Sequence, residues 1–85
     1  MSSEQNLNDA PLLEPMVVRR VDGARGFRRR LLELGVLPGS VVRKTKVAPL
    51  GDPLELEVRG RRLSIRRAQA RAITVHATPS DTSAP

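Results

Sequence analysis

The chain has 85 residues, 39% of them hydrophobic, and no cysteine, which suffices for one domain around a small core and leaves no room for a second domain or a large catalytic cleft. The absence of thiols excludes a disulfide framework and any thiolate metal site, with a weak lean to the cytosol. All fifteen Lys and Arg fall between Arg19 and Arg71, a span with only five acidic residues and a formal charge of +10, against +6 for the whole chain; such a balance attracts nucleic acid, anionic lipid headgroups or an acidic protein face.

Residues 1–15 are rich in Ser, Asn, Gln and Asp and read as a flexible N-terminal segment, although Leu12 and Leu13 could lie against the domain. They carry neither the basic n-region nor the apolar run of a signal peptide. No later stretch approaches the roughly 20 apolar residues of a spanning helix, so no membrane insertion is expected. Residues 79–85 form a flexible Pro/Ser/Thr tail, leaving 16–78 as the domain.

Met16–Val21 is a β-favouring run, followed by an Asp-Gly-Ala-Arg-Gly turn at 22–26. Residues 27–34 then switch to helical spacing, with Phe27, Leu31 and Leu34 on one face. Gly35 is placed to take the left-handed cap, Val36 to pack back on the helix, and Pro38 to stop it. Pro38-Gly39 suits a type II turn into the strand Val41–Val47. There Lys44 and Lys46 share a face with Val42, which predicts an exposed or bulged second half.

Two prolines and a glycine make 48–53 a loop. Leu54–Val58 alternates cleanly, and after a turn at Arg59-Gly60 Leu63 and Ile65 resume the pattern, which describes a β-hairpin. Residues 66–71 read as a single helical turn and 72–75 as a closing strand. The fold class is therefore mainly β: about five short strands, one short helix after the first and a helical turn before the last, curled into a small barrel to hide the strand edges.

The run Arg30-Leu31-Leu32-Glu33-Leu34-Gly35-Val36-Leu37-Pro38-Gly39 resembles the helix-and-turn signature of the FeoA family, ferrous-iron transport protein A. Val47-Ala48-Pro49-Leu50-Gly51-Asp52-Pro53 resembles that family's next loop, and Leu63-Ser64-Ile65-Arg66-Arg67 through Ala70, Ile73 and Val75 its closing segment. Three ordered motifs over residues 17–75 make the match specific. Gln69 stands where the family commonly has a glutamate, and Lys44 where an apolar strand residue is common. The resemblance implies an SH3-like barrel and no catalytic residue. It further implies a cytoplasmic accessory of ferrous-iron uptake that binds and modulates the FeoB-type GTP-dependent membrane transporter, reaching the inner face of the membrane through that partner. The same barrel shape also occurs in metal-responsive repressors, so shape alone does not assign function.

The partner-binding candidates are the exposed positions around Leu32 and Leu37, the loop Leu50-Gly51-Asp52, and the helix arginines Arg28 and Arg29, because an exposed apolar residue beside a turn can anchor an interface. For metal, the available donors are Glu55 and Glu57, on one strand face, and His76. A specific Fe²⁺ site gathers imidazole and carboxylate with open positions, so these are weak candidates for surface association of Fe²⁺ or Zn²⁺, and no cofactor is required. The alternative is a basic barrel that binds nucleic acid or acts as a metal-responsive module. Against nucleic acid, Phe27 is the one Phe, Trp or Tyr in the chain and its spacing assigns it to the core, which leaves no stacking platform. No nucleophile–base pair or phosphate-binding loop supports an enzyme. A monomer or weak homodimer is expected.

Overall fold

The computed structural model describes residues 4–78. Its strands are β1 (Gln5–Asn6), β2 (Met16–Val21), β3 (Val41–Val47), β4 (Leu54–Val58), β5 (Arg61–Ile65) and β6 (Ile73–Ala77). Helix α1 (Arg25–Glu33) follows β2, and α2 (Arg67–Ala70) precedes β6. The strands form one sheet in the order β1-β6-β2-β3-β4-β5, with antiparallel pairing throughout.

The expected five strands are present and a sixth precedes them. Residues 5–10 are not a loose lead-in: β1 pairs with β6, Gln5 opposite Val75, and a 3₁₀ turn at Leu7–Asp9 brings Leu7 and Ala10 into the core. The composition of this segment concealed it, because one leucine and one alanine supply its whole apolar content. Leu12 and Leu13 remain exposed, at 52% and 60%. Residues 1–3 and the tail at 79–85 lie outside the described residues.

Strand alternation sends Met16 and Val18, Val42, Leu54, Leu56 and Val58, Ile65, and Ile73 and Val75 into a single cluster with Leu7, Leu31 and Val36. A sheet whose five long strands share one core on one face must curl around it, as an SH3-like barrel does. The two sheet edges approach where the 3₁₀ turn after β1 packs against α2, which follows β5. Helix α1 lies along β5, Phe27, Leu31 and Leu34 facing Leu63 and Ile65. It starts two residues earlier than the spacing predicts, Arg28 N donating to Ala24 O over 3.0 Å; Gly26 is tolerated in the first turn because the packing of Phe27 and Leu31 outweighs its poor propensity.

The end of α1 follows its sequence signal closely. Gly35 has φ +94°, Val36 N donates to Leu31 O over 2.8 Å and Gly35 N to Leu32 O over 3.0 Å, a Schellman cap. Strand β3 shows the expected bulge, its register with β4 shifting between Lys44 and Lys46. The bulge does not expose Lys44, however: that side chain is buried, while Lys46 points to solvent.

Candidate functional site

Leu37 is set by the turn that follows the α1 cap. Ser40 is buried, its hydroxyl donates to Gly35 O over 2.7 Å, and it accepts from Leu37 N over 3.3 Å. Ser40 N donates to Leu37 O over 2.9 Å with Gly39 at φ +94°, the type II geometry that Pro38-Gly39 suggests. This short path from Leu34 to Ser40 leaves Leu37 half-buried and holds it beside Leu32, which is 56% exposed on the last turn of α1.

The floor and far wall of this groove come from the β4–β5 turn. Arg59 and Gly60 both have positive φ, +54° and +77°, as a two-residue type I′ hairpin requires. That turn directs Arg59 and Arg61 to the groove lined by Leu32, Leu34, Gly35 and Leu37. The contact is close: a Cβ on Gly35 would lie 3.1 Å from Arg59 Cδ. Leu32 and Leu37 are therefore brought together, and the guanidinium groups that border them come from the β4–β5 turn, which local sequence marks only as a chain reversal. The signal available for them was the Arg59-Gly60 turn itself. Arg28 and Arg29, one helical turn before Leu32, are exposed and extend the positive field along α1.

The loop Leu50-Gly51-Asp52 stands at the other end of β4, next to Leu54, whereas the groove adjoins Val58. At about 3.4 Å per residue the strand separates the two by roughly 14 Å or more. Leu50 is 93% exposed. Gly51 has φ +88° and its N donates to Ala48 O over 2.7 Å; Asp52 Oδ1 accepts from Arg67 N over 3.0 Å at the start of α2. The candidate residues thus form two separate places on the barrel.

The metal candidates do not converge. Glu55 and Glu57 share the outer face of β4, but Glu57 is ion-paired with Arg43 directly opposite it in β3. His76 is on β6, with β2 and β3 between it and β4, so about 14 Å of sheet separates imidazole from carboxylates. Its Nδ1 lies 3.1 Å from Ala77 O. Among the described residues no three His, Cys, Asp or Glu side chains are grouped as a metal site would require. These donors do not fit a specific transition-metal centre.

Two departures from the resembled pattern have structural explanations. Gln69 Oε1 accepts from Arg66 N over 2.9 Å, the bond a glutamate at this third helical position would make. Lys44 is 7% exposed and its Nζ donates to Asn8 O over 2.9 Å. Its pKa is lowered from the usual lysine value by burial, with Asp9 opposing the shift and Arg67 adding to it.

A model of the FeoA domain matches residues 5–77, which includes β1. A Porphyromonas gingivalis protein described as an Fe(2+) transport protein A/Fe(2+) transporter FeoB fusion is 37% identical over 70 residues, covering 81% of this chain and 8% of that protein. The chain therefore corresponds to a small fraction of that relative's length. The solution structure of FeoA from Chlorobium tepidum superposes with a TM-score of 0.85 at 34% identity, covering 93% of this chain and 75% of that one. A zinc complex of FeoA from Stenotrophomonas maltophilia, described as a prokaryotic SH3 domain protein, superposes with a TM-score of 0.73 at 32% identity, covering 84% and 88% of the two chains. Among the described residues no helix is long and apolar enough to cross a membrane.

Proposed function

The chain belongs to the FeoA domain family, and on that premise we propose that it is a non-enzymatic accessory of ferrous-iron uptake, which docks on the cytoplasmic region of a FeoB-type transporter and modulates it. The observation that carries this reading is the relative in which the two are one fused protein. Fusion holds two modules at high effective concentration, and a separate domain has to recover the same association through its own surface. Ferrous iron enters this reading as the cargo of the transporter.

The groove at the end of α1 is the surface best suited to such docking. It sets Leu32 on the last turn of α1 beside Leu37 on the turn fixed by the Gly35 cap and the Ser40 hydroxyl, so little backbone freedom is lost on binding. Arg59 and Arg61 border it and Arg28 and Arg29 lie above it, which favours a partner segment with a leucine-sized apolar group among carboxylates. The loop Leu50-Gly51-Asp52 lies at the other end of β4 and does not line this groove.

Nucleic-acid binding has less support. Phe27 is half-buried against the core, so no exposed aromatic stacks on a base, and phosphate contacts alone read no sequence.

The test is a binding titration of the full chain against the cytoplasmic region of the transporter. Leu32→Glu and Leu37→Glu are expected to weaken binding at least tenfold, since each places a charge in the apolar part of the contact. Full-strength binding by both variants would remove the groove from the interface.

A further inference from the structure

The end of the barrel around Leu50 has a composition that docking at the α1 groove leaves unused. Leu50 is the most exposed large apolar side chain of the described residues, at 93%. Its exposure does not come from slack in the loop. Gly51 N bonds back to Ala48 O over 2.7 Å, Ala48 N bonds to Pro53 O over 3.1 Å, and Asp52 ties the loop to α2 through Arg67 N. The loop is closed on itself and fastened to the body, and it holds one leucine outward.

Cations flank the loop that carries this leucine. The Arg67 guanidinium lies 3.1 Å from where a Cβ on Gly51 would stand. Arg30 and Arg66 share a shallow cleft with Pro53 on one side, and Lys46 shares another with Pro49 and Pro53. All four cations are exposed and make no ion pair among the described residues. The carboxylates near this end are Asp52, engaged by the main chain of α2, Glu55, and Asp9 on the 3₁₀ turn that packs against α2.

We propose that this end of the barrel, with Leu50 at its tip and Arg30, Lys46, Arg66 and Arg67 around it, rests on an anionic phospholipid surface. Headgroup phosphates suit the guanidinium groups, and the apolar layer beneath them accepts a single aliphatic side chain. Nucleic acid would use the arginines and leave the leucine in water. The contact is a weak, salt-sensitive attachment, because a few basic residues act only within about a Debye length of the surface, roughly 8 Å at physiological ionic strength. It goes beyond the docking reading and does not depend on it, since it requires a bilayer and no transporter.

The test uses the full chain and phosphatidylcholine vesicles prepared with or without phosphatidylglycerol. The chain has no tryptophan, so Leu50→Trp reports its own environment. Its emission is expected to shift to the blue with anionic vesicles and to stay unshifted with zwitterionic ones. Val41→Trp, at the start of β3 and half-exposed, is expected to stay unshifted with both. In co-sedimentation, Arg66→Gln with Arg67→Gln is expected to weaken binding about 20- to 30-fold, and Leu50→Ser about three- to tenfold. The double substitution Arg59→Gln with Arg61→Gln removes the same charge from the opposite end and is expected to weaken binding less than threefold. Equal losses from the two double variants would show diffuse charge attraction and overturn the proposal. An unshifted Leu50→Trp would overturn it as well, as would tight DNA binding at physiological salt without vesicle binding. Loss of transporter binding by Leu32→Glu with vesicle binding intact would separate the two surfaces.

Discussion

The ammonium group of Lys44 donates a hydrogen bond to the carbonyl oxygen of Asn8 over 2.9 Å, joining residues 36 apart in the chain. The same residue's carbonyl accepts from Leu13 N over 2.7 Å. Lys44 thereby grips the N-terminal segment within its 3₁₀ turn, at Asn8, and again beyond it, at Leu13. Its position opposite Leu56 in the β3–β4 ladder would otherwise take an apolar residue, and the charge is tolerated there because a main-chain oxygen meets it.

The lowered pKa of Lys44 gives folding stability an alkaline signature. Below its folded-state pKa both states carry the charge, and the folded state bears the cost of desolvating it. Between that value and the ordinary 10.5 the unfolded chain holds more protons than the folded one, so stability rises with pH across that window. The chain has no Tyr or Cys and only one other lysine, so few groups compete. Urea midpoints measured from neutral pH up to that value are expected to rise, and Lys44→Met is expected to flatten the rise while changing neutral-pH stability by less than about 1.5 kcal/mol. A wild-type midpoint that falls over the window would contradict the assignment.

Leu7 tests whether the N-terminal segment is part of the core. It is fully buried and directly follows the short β1 pairing. Leu7→Ala is expected to cost about 2–4 kcal/mol, read as a lower urea midpoint with the slope unchanged. A change below about 0.5 kcal/mol, the range of ordinary surface substitutions, would mean that residues 5–10 contribute little to folding.

The turn that presents Leu37 depends on two small residues. Gly35→Ala forces a side chain into positive φ and brings its Cβ to 3.1 Å from Arg59 Cδ; the expected cost is about 1–2 kcal/mol. Ser40→Ala removes the donor to Gly35 O and the acceptor of Leu37 N, and about 1–3 kcal/mol should follow. Both should weaken transporter binding beyond their effect on stability, because they loosen the turn that carries Leu37. Binding measured well below each variant's unfolding transition separates the two effects.

The pair Arg43 and Glu57 lies across β3 and β4 with side chains 43% and 30% exposed. Glu57→Gln keeps the shape and removes the charge. Its expected cost is below about 1 kcal/mol, shrinking further in high salt. A much larger loss would indicate that the pair is better shielded than its exposure suggests.

Where local chemistry decides conformation, the sequence was sufficient. Gly35 and Val36 specify the helix stop, Pro38-Gly39 the turn, Arg59-Gly60 the hairpin reversal, and the alternation of Leu54, Leu56 and Val58 the inward face of β4, because each depends on steric limits within a few residues. The family resemblance rests on these same positions, so it too could be read from the chain.

Tertiary structure alone decided what depends on contacts between distant segments. The two-residue β1 has no periodicity to detect, and it exists because Leu7 finds the open end of the barrel. Lys44 looked like an exposed strand residue until the N-terminal segment covered it and supplied an oxygen. Leu32, Leu37 and Leu50 looked like one set of exposed leucines, and only the length of β4 placed them at opposite ends. Local sequence specifies turns and inward faces through short-range sterics, whereas burial of a charge and the grouping of surface residues follow from which segments the closed sheet brings together.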